Sequence, residues 1–193
     1  MDPSWDPPRR NFMKVNIRAS TLNEPLRNGN TNGVGILARN NGMEYLWGIM
    51  GLMKEVGFLE LQLWAIHKAM VTAYRKKIPR VILETDNVHA YELLLDEYGD
   101  QIEEEGLEEV VRQINYMSRT YNGTKQEDGL KWDCELVVVN ASRNTAALCI
   151  VQYGMENCSS LVEVPGAFEA LKEQLNMDVG LGPNEEFLEG VRF

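Results

Sequence analysis

The chain is poor in histidine and cysteine, the residues that build zinc sites and disulfide frameworks. Its 193 residues include two histidines and three cysteines. Cys134, Cys149 and Cys158 show neither zinc-ligand nor redox spacing, so we expect three reduced thiols. No apolar run approaches the roughly 18 to 20 residues that cross a bilayer. The first ten residues also lack the apolar segment of a secretory signal. These absences predict an intracellular protein, nuclear or cytoplasmic, with no membrane partner.

Positive charge is also scarce. The chain has 29 acidic and 19 basic residues, a formal net charge of −10, and 84–109 contains eleven acids and no Lys or Arg. The part from Glu92 to Glu109 is either a solvated face or a docking surface for a basic partner. The charge argues against a phosphate-binding groove across the whole domain. A local basic cluster could still contact a nucleic acid weakly, although the end of a helix would explain it equally well. The cluster is Arg75, Lys76, Lys77 and Arg80.

Apolar patterning predicts five strands. In the first, Val15, Ile17 and Ala19 share one face and polar residues share the other. Asn40-Asn41-Gly42 tolerates positive φ and predicts a hairpin between the second and third strands. The uninterrupted run 81–83 is typical of a strand buried on both faces. The predicted strands are 14–20, 34–39, 43–47, 81–83 and 132–140.

The remaining periodic segments predict helices at 59–77, 89–97, 107–121, 144–153 and 167–175. Pro79 cannot continue the first helix, and Asn144 is a candidate N-cap of the fourth. The order of elements predicts an α/β fold with a mixed five-stranded sheet, three antiparallel strands then parallel strands, flanked by helices. We expect an N-terminal arm (1–13), one domain (14–156), and a C-terminal tail with a short helix (157–193).

Taken together, these segments resemble the plant-type ribonuclease H-like family, the type-1 ribonuclease H or reverse-transcriptase-like domain. The resemblance covers roughly 5–182, and its most specific part is the first long helix with the fourth strand. The similar motifs are Trp5 with Pro7-Pro8, Gly33-Val34-Gly35-Ile36, Leu46-Trp47-Gly48-Ile49, Leu63-Trp64-Ala65-Ile66, Arg80-Val81-Ile82-Leu83-Glu84-Thr85-Asp86, Asn144-Thr145-Ala146-Ala147 and Glu163-Val164-Pro165. The resemblance implies a ribonuclease H-like fold.

Active members of that family cut the RNA strand of RNA–DNA hybrids, with four carboxylates that hold two divalent metals. By the resemblance, the four positions of this chain are Arg18, Gln62, Asp86 and Leu148. Only Asp86 is a carboxylate. It directly follows the central strand, at the end of a sheet where ligands and catalytic groups gather. The resemblance therefore implies a degenerate active site.

Neighbouring acids do not restore the set. Glu60 lies about 200° around the helix from Gln62, and Glu84 is one pleat deeper than Asp86. A cation at position 18 would repel metals and offer donors to Asp86. We therefore hypothesise an Arg18–Asp86 ion pair. For Gln62, capping the cleft is favoured over contact with a ribose hydroxyl.

These observations predict a pseudoenzyme without catalytic residues, metal or cofactor. The favoured function is a non-catalytic interaction or scaffold module with an unidentified protein partner. The alternative is a domain that binds RNA–DNA hybrid or RNA weakly without cutting it, and a weak metal-dependent ribonuclease H is the least favoured. The sequence leaves the oligomeric state open, a homo-oligomer included.

Overall fold

The computed structural model describes residues 5–53, 56–95, 105–125, 129 and 131–178. One mixed sheet of six strands, in the order β5-β4-β1-β2-β3-β6, forms its centre. β4 is parallel to its neighbours β1 and β5, whereas β1, β2, β3 and β6 pair antiparallel. The strands are β1 Met13–Thr21, β2 Asn32–Arg39, β3 Tyr45–Gly51, β4 Arg80–Thr85, β5 Asp133–Val138 and β6 Val162–Val164.

Five helices accompany the sheet: α1 Phe58–Arg75, α2 Val88–Leu95, α3 Glu105–Tyr121, α4 Thr145–Asn157 and α5 Glu169–Asp178. The predicted mixed α/β fold is confirmed, but the number of strands was wrong by one. The sixth strand, β6, has only three residues. Three alternating residues, Val-Glu-Val, are too few to predict a strand, and its identity comes from its pairing with β3.

The predicted third strand was also displaced. It was placed at 43–47, whereas β3 is Tyr45–Gly51. Met43 lies in the turn before it, with φ of 67°. Gly48 and Gly51 interrupt the apolar pattern at the other end, although both pair with β2. Glycine hid the second half of the strand because it supplies no side chain to the alternation.

The two faces of the sheet are packed differently. Val15, Ile17 and Ala19 of β1 are buried in the same core cluster as the apolar stripe of α1. On the other face, α4 packs closely on β2. A Cβ built on Gly35 would lie 2.5 Å from the carbonyl oxygen of Ala147 and 2.8 Å from the backbone nitrogen of Val151. The close approach of α4 to β2 therefore requires glycine at position 35.

We expect Gly35→Ala to destabilise the fold by about 1–3 kcal/mol, because helix backbone must move to admit the methyl group. Chemical denaturation followed by circular dichroism measures this change. Gly166→Ala is the control, since a Cβ there meets nothing within 4 Å. Equal unfolding midpoints for the two variants would show that the packing of α4 on β2 is looser than described.

A chain of buried polar side chains crosses the α4 face of the sheet. We call it the polar seam; it consists of Lys14, Asn16, Arg39, Glu84 and Asp178. Lys14 Nζ lies 2.7 Å from Glu84 Oε1, and Asn16 Nδ2 donates to Glu84 Oε2 at 2.7 Å. Arg39 donates from Nη2 to Asn16 Oδ1 at 2.9 Å and from Nη1 to Asp178 Oδ2 at 2.7 Å. Each buried charge of the seam is therefore paired.

The polar seam connects the arm and the tail to the sheet. The Trp5 ring lies 3.7 Å from the guanidinium carbon of Arg39 and is itself buried. Asp178 is the last residue of α5 and comes from the tail. Burial lowers the pKa of Arg39, and the charge and hydrogen bond of Asp178 act in the opposite direction. The arm and the tail thus meet on one buried cation.

The cysteines and helices show two further features. All three cysteines are free. Burial, with smaller contributions from Asp133 and Glu135, raises the pKa of Cys134 to about 12. The thiol therefore stays protonated at neutral pH and is a poor nucleophile. Among the described helices, none has both the length and the apolar character needed to cross a membrane.

Candidate functional site at the carboxyl ends of the central strands

Two central strands end side by side and bring Arg18 and Asp86 together. β1 and β4 run parallel, with Ile17 opposite Thr85, so the next residue on each strand reaches the same edge. Arg18 Nη1 lies 2.8 Å from Asp86 Oδ2, and the two side chains are 23% and 10% exposed. The hypothesised ion pair is confirmed. At this length it is a close ion pair in a partly desolvated setting.

Gln62 of α1 connects the ends of the same two strands. Its Oε1 accepts the Ala19 backbone N–H at 2.8 Å, and its Nε2 donates to Thr85 Oγ1 at 3.1 Å. The Gln62 residue is only 1% exposed. A side chain so buried, with both ends engaged, positions the strands and does not reach toward a ligand.

Asn144 completes the surroundings of Asp86. Its Nδ2 donates to the carbonyl oxygen of Ile17 at 2.9 Å and to Asp86 Oδ1 at 3.1 Å. Asn144 stands at the N-cap position of α4, but its side chain makes no capping hydrogen bond. The predicted N-cap position is therefore confirmed, but the side chain binds the sheet edge instead of the helix. Sequence reasoning missed this contact, since nothing local to Asn144 shows that strand β1 lies beside it.

Leu148, the fourth position, is half-buried and lies one turn after Asn144. Its backbone N–H bonds to the carbonyl oxygen of Asn144 at 3.2 Å. Its side chain offers no oxygen, so it adds no ligand to the site. Arg18, Gln62 and Asp86 thus lie at the ends of the same two strands, and Leu148 lies one turn along α4 from Asn144, which donates to Asp86.

The neighbouring acids point elsewhere. Glu84 is buried in the polar seam, bonded to Lys14 and Asn16. Glu60 accepts a hydrogen bond from Trp64 Nε1 at 3.2 Å. Throughout the part of the chain that the structure describes, no three His, Cys, Asp or Glu side chains are placed to hold a metal ion. The side chains around Asp86 do not fit a pair of divalent cations, since the Arg18 guanidinium is ion-paired with the Asp86 carboxylate.

The predicted basic cluster lies away from this site. Arg80 begins β4 and Asp86 follows its end, so the two are about 20 Å apart at roughly 3.3 Å per residue. Lys76 Nζ lies 3.7 Å from Glu163 Oε1. Lys77 follows the end of α1 with φ of 57°, and Arg75 is exposed on its last turn. The four bases therefore do not line the cleft at Asp86.

Comparison with solved structures identifies the fold. Ribonuclease H1 from the halophilic archaeon Halobacterium salinarum superposes with a TM-score of 0.59 at 11% identity, over 76% of this chain and 99% of that one. LC11-RNase H1, isolated from compost and solved in complex with an RNA/DNA hybrid, gives 0.58 at 13% identity, over 75% and 96%. The foamy viral protease-reverse transcriptase, also in complex with an RNA/DNA hybrid, gives 0.54 at 13% identity, over 75% of this chain and 20% of that one.

The chain therefore has a ribonuclease H-like fold. Identities of this size show the fold alone and carry no activity with them. No protein-family model matches the sequence, and no curated protein matches it either.

Proposed function

We propose that this chain is a degenerate, plant-type member of the ribonuclease H-like proteins that does not cut nucleic acid and acts as an interaction or scaffold module. The observation that carries the proposal is the ion pair between Arg18 and Asp86. Arginine stays protonated in proteins, so its charge persists at every physiological pH. A divalent cation at this edge would have to displace a permanent cation from the one carboxylate present.

Both carboxylate oxygens of Asp86 are also engaged. Oδ2 is paired with the Arg18 guanidinium, and Oδ1 accepts from Asn144. A metal would therefore have to break an ion pair and compete with a hydrogen bond before it gained a single protein ligand. The hydrogen bonds of Gln62 hold the ends of β1 and β4 together without a metal. The polar side chains at this edge therefore stabilise the sheet.

Support for an interaction role comes from α2. Val88 and Leu95 are 48% and 61% exposed. They lie seven residues apart, so they share one face of the helix. Glu92 is also exposed on α2. A partner with an apolar strip beside basic residues would complement this surface. The acids of the predicted run at 96–104 lie outside the described residues.

The alternative is a domain that binds nucleic acid without cleavage. It is supported by the two neighbours solved with RNA/DNA hybrids. The net charge of −10 opposes high affinity. This alternative predicts weak binding that falls steeply as salt rises.

Two measurements separate these functions. We expect no cleavage of a labelled RNA–DNA hybrid with magnesium or manganese, and fluorescence polarisation should show little binding at moderate salt. Tight hybrid binding without cleavage would favour the alternative. Cleavage, or a specific two-metal isotherm in calorimetry, would refute the non-catalytic proposal. For the partner, we expect the wild-type chain to capture a basic protein in crosslinked pull-downs from native extract. The Leu95→Asp variant should capture less of it.

A further inference from the structure

The amino ends of β1 and β4 border an open cleft of about 380 Å³. It lies at the opposite end of the sheet from Asp86, because Arg18 and Asp86 stand at the carboxyl ends of the same two strands. The volume falls within the roughly 300–1,000 Å³ of small-molecule sites. The side chains that matter to its chemistry are Asn11, Phe12, Asn41, Lys77 and Arg80.

The cleft is positively charged in an acidic protein. Its described lining contains Lys77 and Arg80 and no acidic residue. Arg80 is exposed and makes no ion pair within the described residues. A second cleft of about 470 Å³ adjoins the first through Arg80 and adds Lys131, with Asp133 as its one acid among the described residues. Such a local concentration of cations attracts an anionic ligand.

Two arginines lie near an aromatic ring at this cleft. The guanidinium carbon of Arg9 lies 3.8 Å from the centroid of Phe12, and that of Arg80 lies 5.9 Å from it. Arg9 is also paired with Glu135, which fixes it against the ring. Arg80 lies farther from the ring and has no ion-pair partner in the part of the chain that the structure describes. It can therefore move aside for a planar group and remain close enough to contact an attached anion.

Hydrogen-bonding groups face the same space. Asn41 donates from Nδ2 to the carbonyl oxygen of Pro8 at 2.6 Å, which fixes its orientation. Its Oδ1 has no hydrogen-bond partner among the described residues. Asn11 is exposed in the turn before β1. Carboxamides of this kind supply both donors and acceptors to the edge of a heterocycle.

We propose that this cleft binds a nucleoside phosphate, with its base on Phe12 and its phosphate on Arg80 and Lys131. A planar ring, amides and cations at one place match a base joined to a phosphate better than they match an acidic peptide. The ligand is either a free nucleotide or the phosphorylated 5′ end of a strand, since the two present the same chemistry. The site is separate from the edge at Asp86, and it stands or falls independently of the function proposed above.

Titration calorimetry with adenosine 5′-monophosphate tests the site on the full-length protein. We expect saturable binding that Arg80→Gln weakens by about tenfold or more, the scale of one charged or stacking contact. Phe12→Leu, which removes the aromatic face and keeps apolar volume, should weaken it similarly. Arg75→Gln is the matched control, because Arg75 is exposed at the end of α1 but lines neither cleft. Circular dichroism checks that each variant is folded.

Further probes identify the ligand. A 5′-phosphorylated dinucleotide that binds more tightly than the monophosphate would indicate a strand end, and equal affinities would indicate a free nucleotide. Inorganic phosphate and an acidic hexapeptide should bind at least tenfold more weakly. The proposal is overturned by absent binding at millimolar monophosphate, by peptide or phosphate binding as tightly, or by equal effects of Arg75→Gln and Arg80→Gln. If Phe12→Leu does not fold, Arg80→Gln decides alone, since Arg80 is exposed.

Discussion

Replacing Asp178 by alanine should lower the free energy of unfolding by about 3–5 kcal/mol, the usual effect of removing one partner of a buried ion pair. Arg39 and Asp178 are each 1% exposed, and Nη1 lies 2.7 Å from Oδ2. Without the carboxylate, the Arg39 guanidinium stays in a buried place with only Asn16 as a polar partner among the contacts of the seam. At about 2–4 °C per kcal/mol for a chain of this size, the midpoint should fall by roughly 6–20 °C.

Two controls make this prediction specific. Glu173→Ala changes an exposed acid in the same helix, and its effect should stay within about 0.5 kcal/mol. The double change Arg39→Met and Asp178→Leu removes both charges and should recover most of the loss, because no unpaired ion remains buried. Differential scanning calorimetry measures all three variants. An Asp178→Ala midpoint equal to that of Glu173→Ala would mean that the tail does not dock on the sheet.

Placing carboxylates at the three other proposed positions should create a metal site beside Asp86. In the variant Arg18→Asp, Gln62→Glu, Leu148→Asp, the net charge of the chain falls by four units. One cation becomes an anion, and two neutral side chains become anions. Without magnesium these like charges repel and destabilise the fold. With magnesium, binding to the native state alone adds about 2.7 kcal/mol at a concentration of 100 times Kd.

The readout is therefore a magnesium-dependent rise in melting temperature, present in the restored variant and absent in the wild type. Hybrid cleavage is a second, independent readout. Arg18→Met is the control, because it removes the cation that is paired with Asp86 without adding an oxygen ligand. A wild-type chain stabilised by magnesium as strongly as the restored variant would contradict the pseudoenzyme proposal. If the restored variant folds but magnesium does not raise its melting temperature, the four positions do not lie close enough together to hold a metal ion.

Much of the fold follows from local pattern. The alternation of Val15, Ile17 and Ala19 identified β1 and its buried face. The helical stripe with Pro79 behind it located α1 to within two residues. Both signals arise because a side chain's direction repeats with the local backbone geometry. Where glycine or brevity weakens that repeat, as in β3 and β6, the prediction failed.

The candidate site was partly predictable as well. The pairing of Arg18 with Asp86 followed from two strands whose order and direction the resemblance supplied. The role of Asn144 did not follow, since its partners are Ile17, at a sequence separation of 127 residues, and Asp86, at 58. Nothing in the local pattern around Lys14 shows that it is buried, yet it lies against Glu84.

The amino-acid sequence by itself determined most of the helices and strands, among them the central strand 81–83. Through the resemblance it also predicted that Arg18, Gln62 and Leu148 stand where the family has acids. Only the tertiary structure decided which polar atoms meet. It placed Arg39 against Asp178 across 139 residues, the amide of Asn144 on Asp86, and Phe12 beside Arg80 at the far end of the sheet. The physical reason is that apolar periodicity is a local property of a segment. A buried polar group instead depends on whichever partner the packed chain brings within hydrogen-bonding distance.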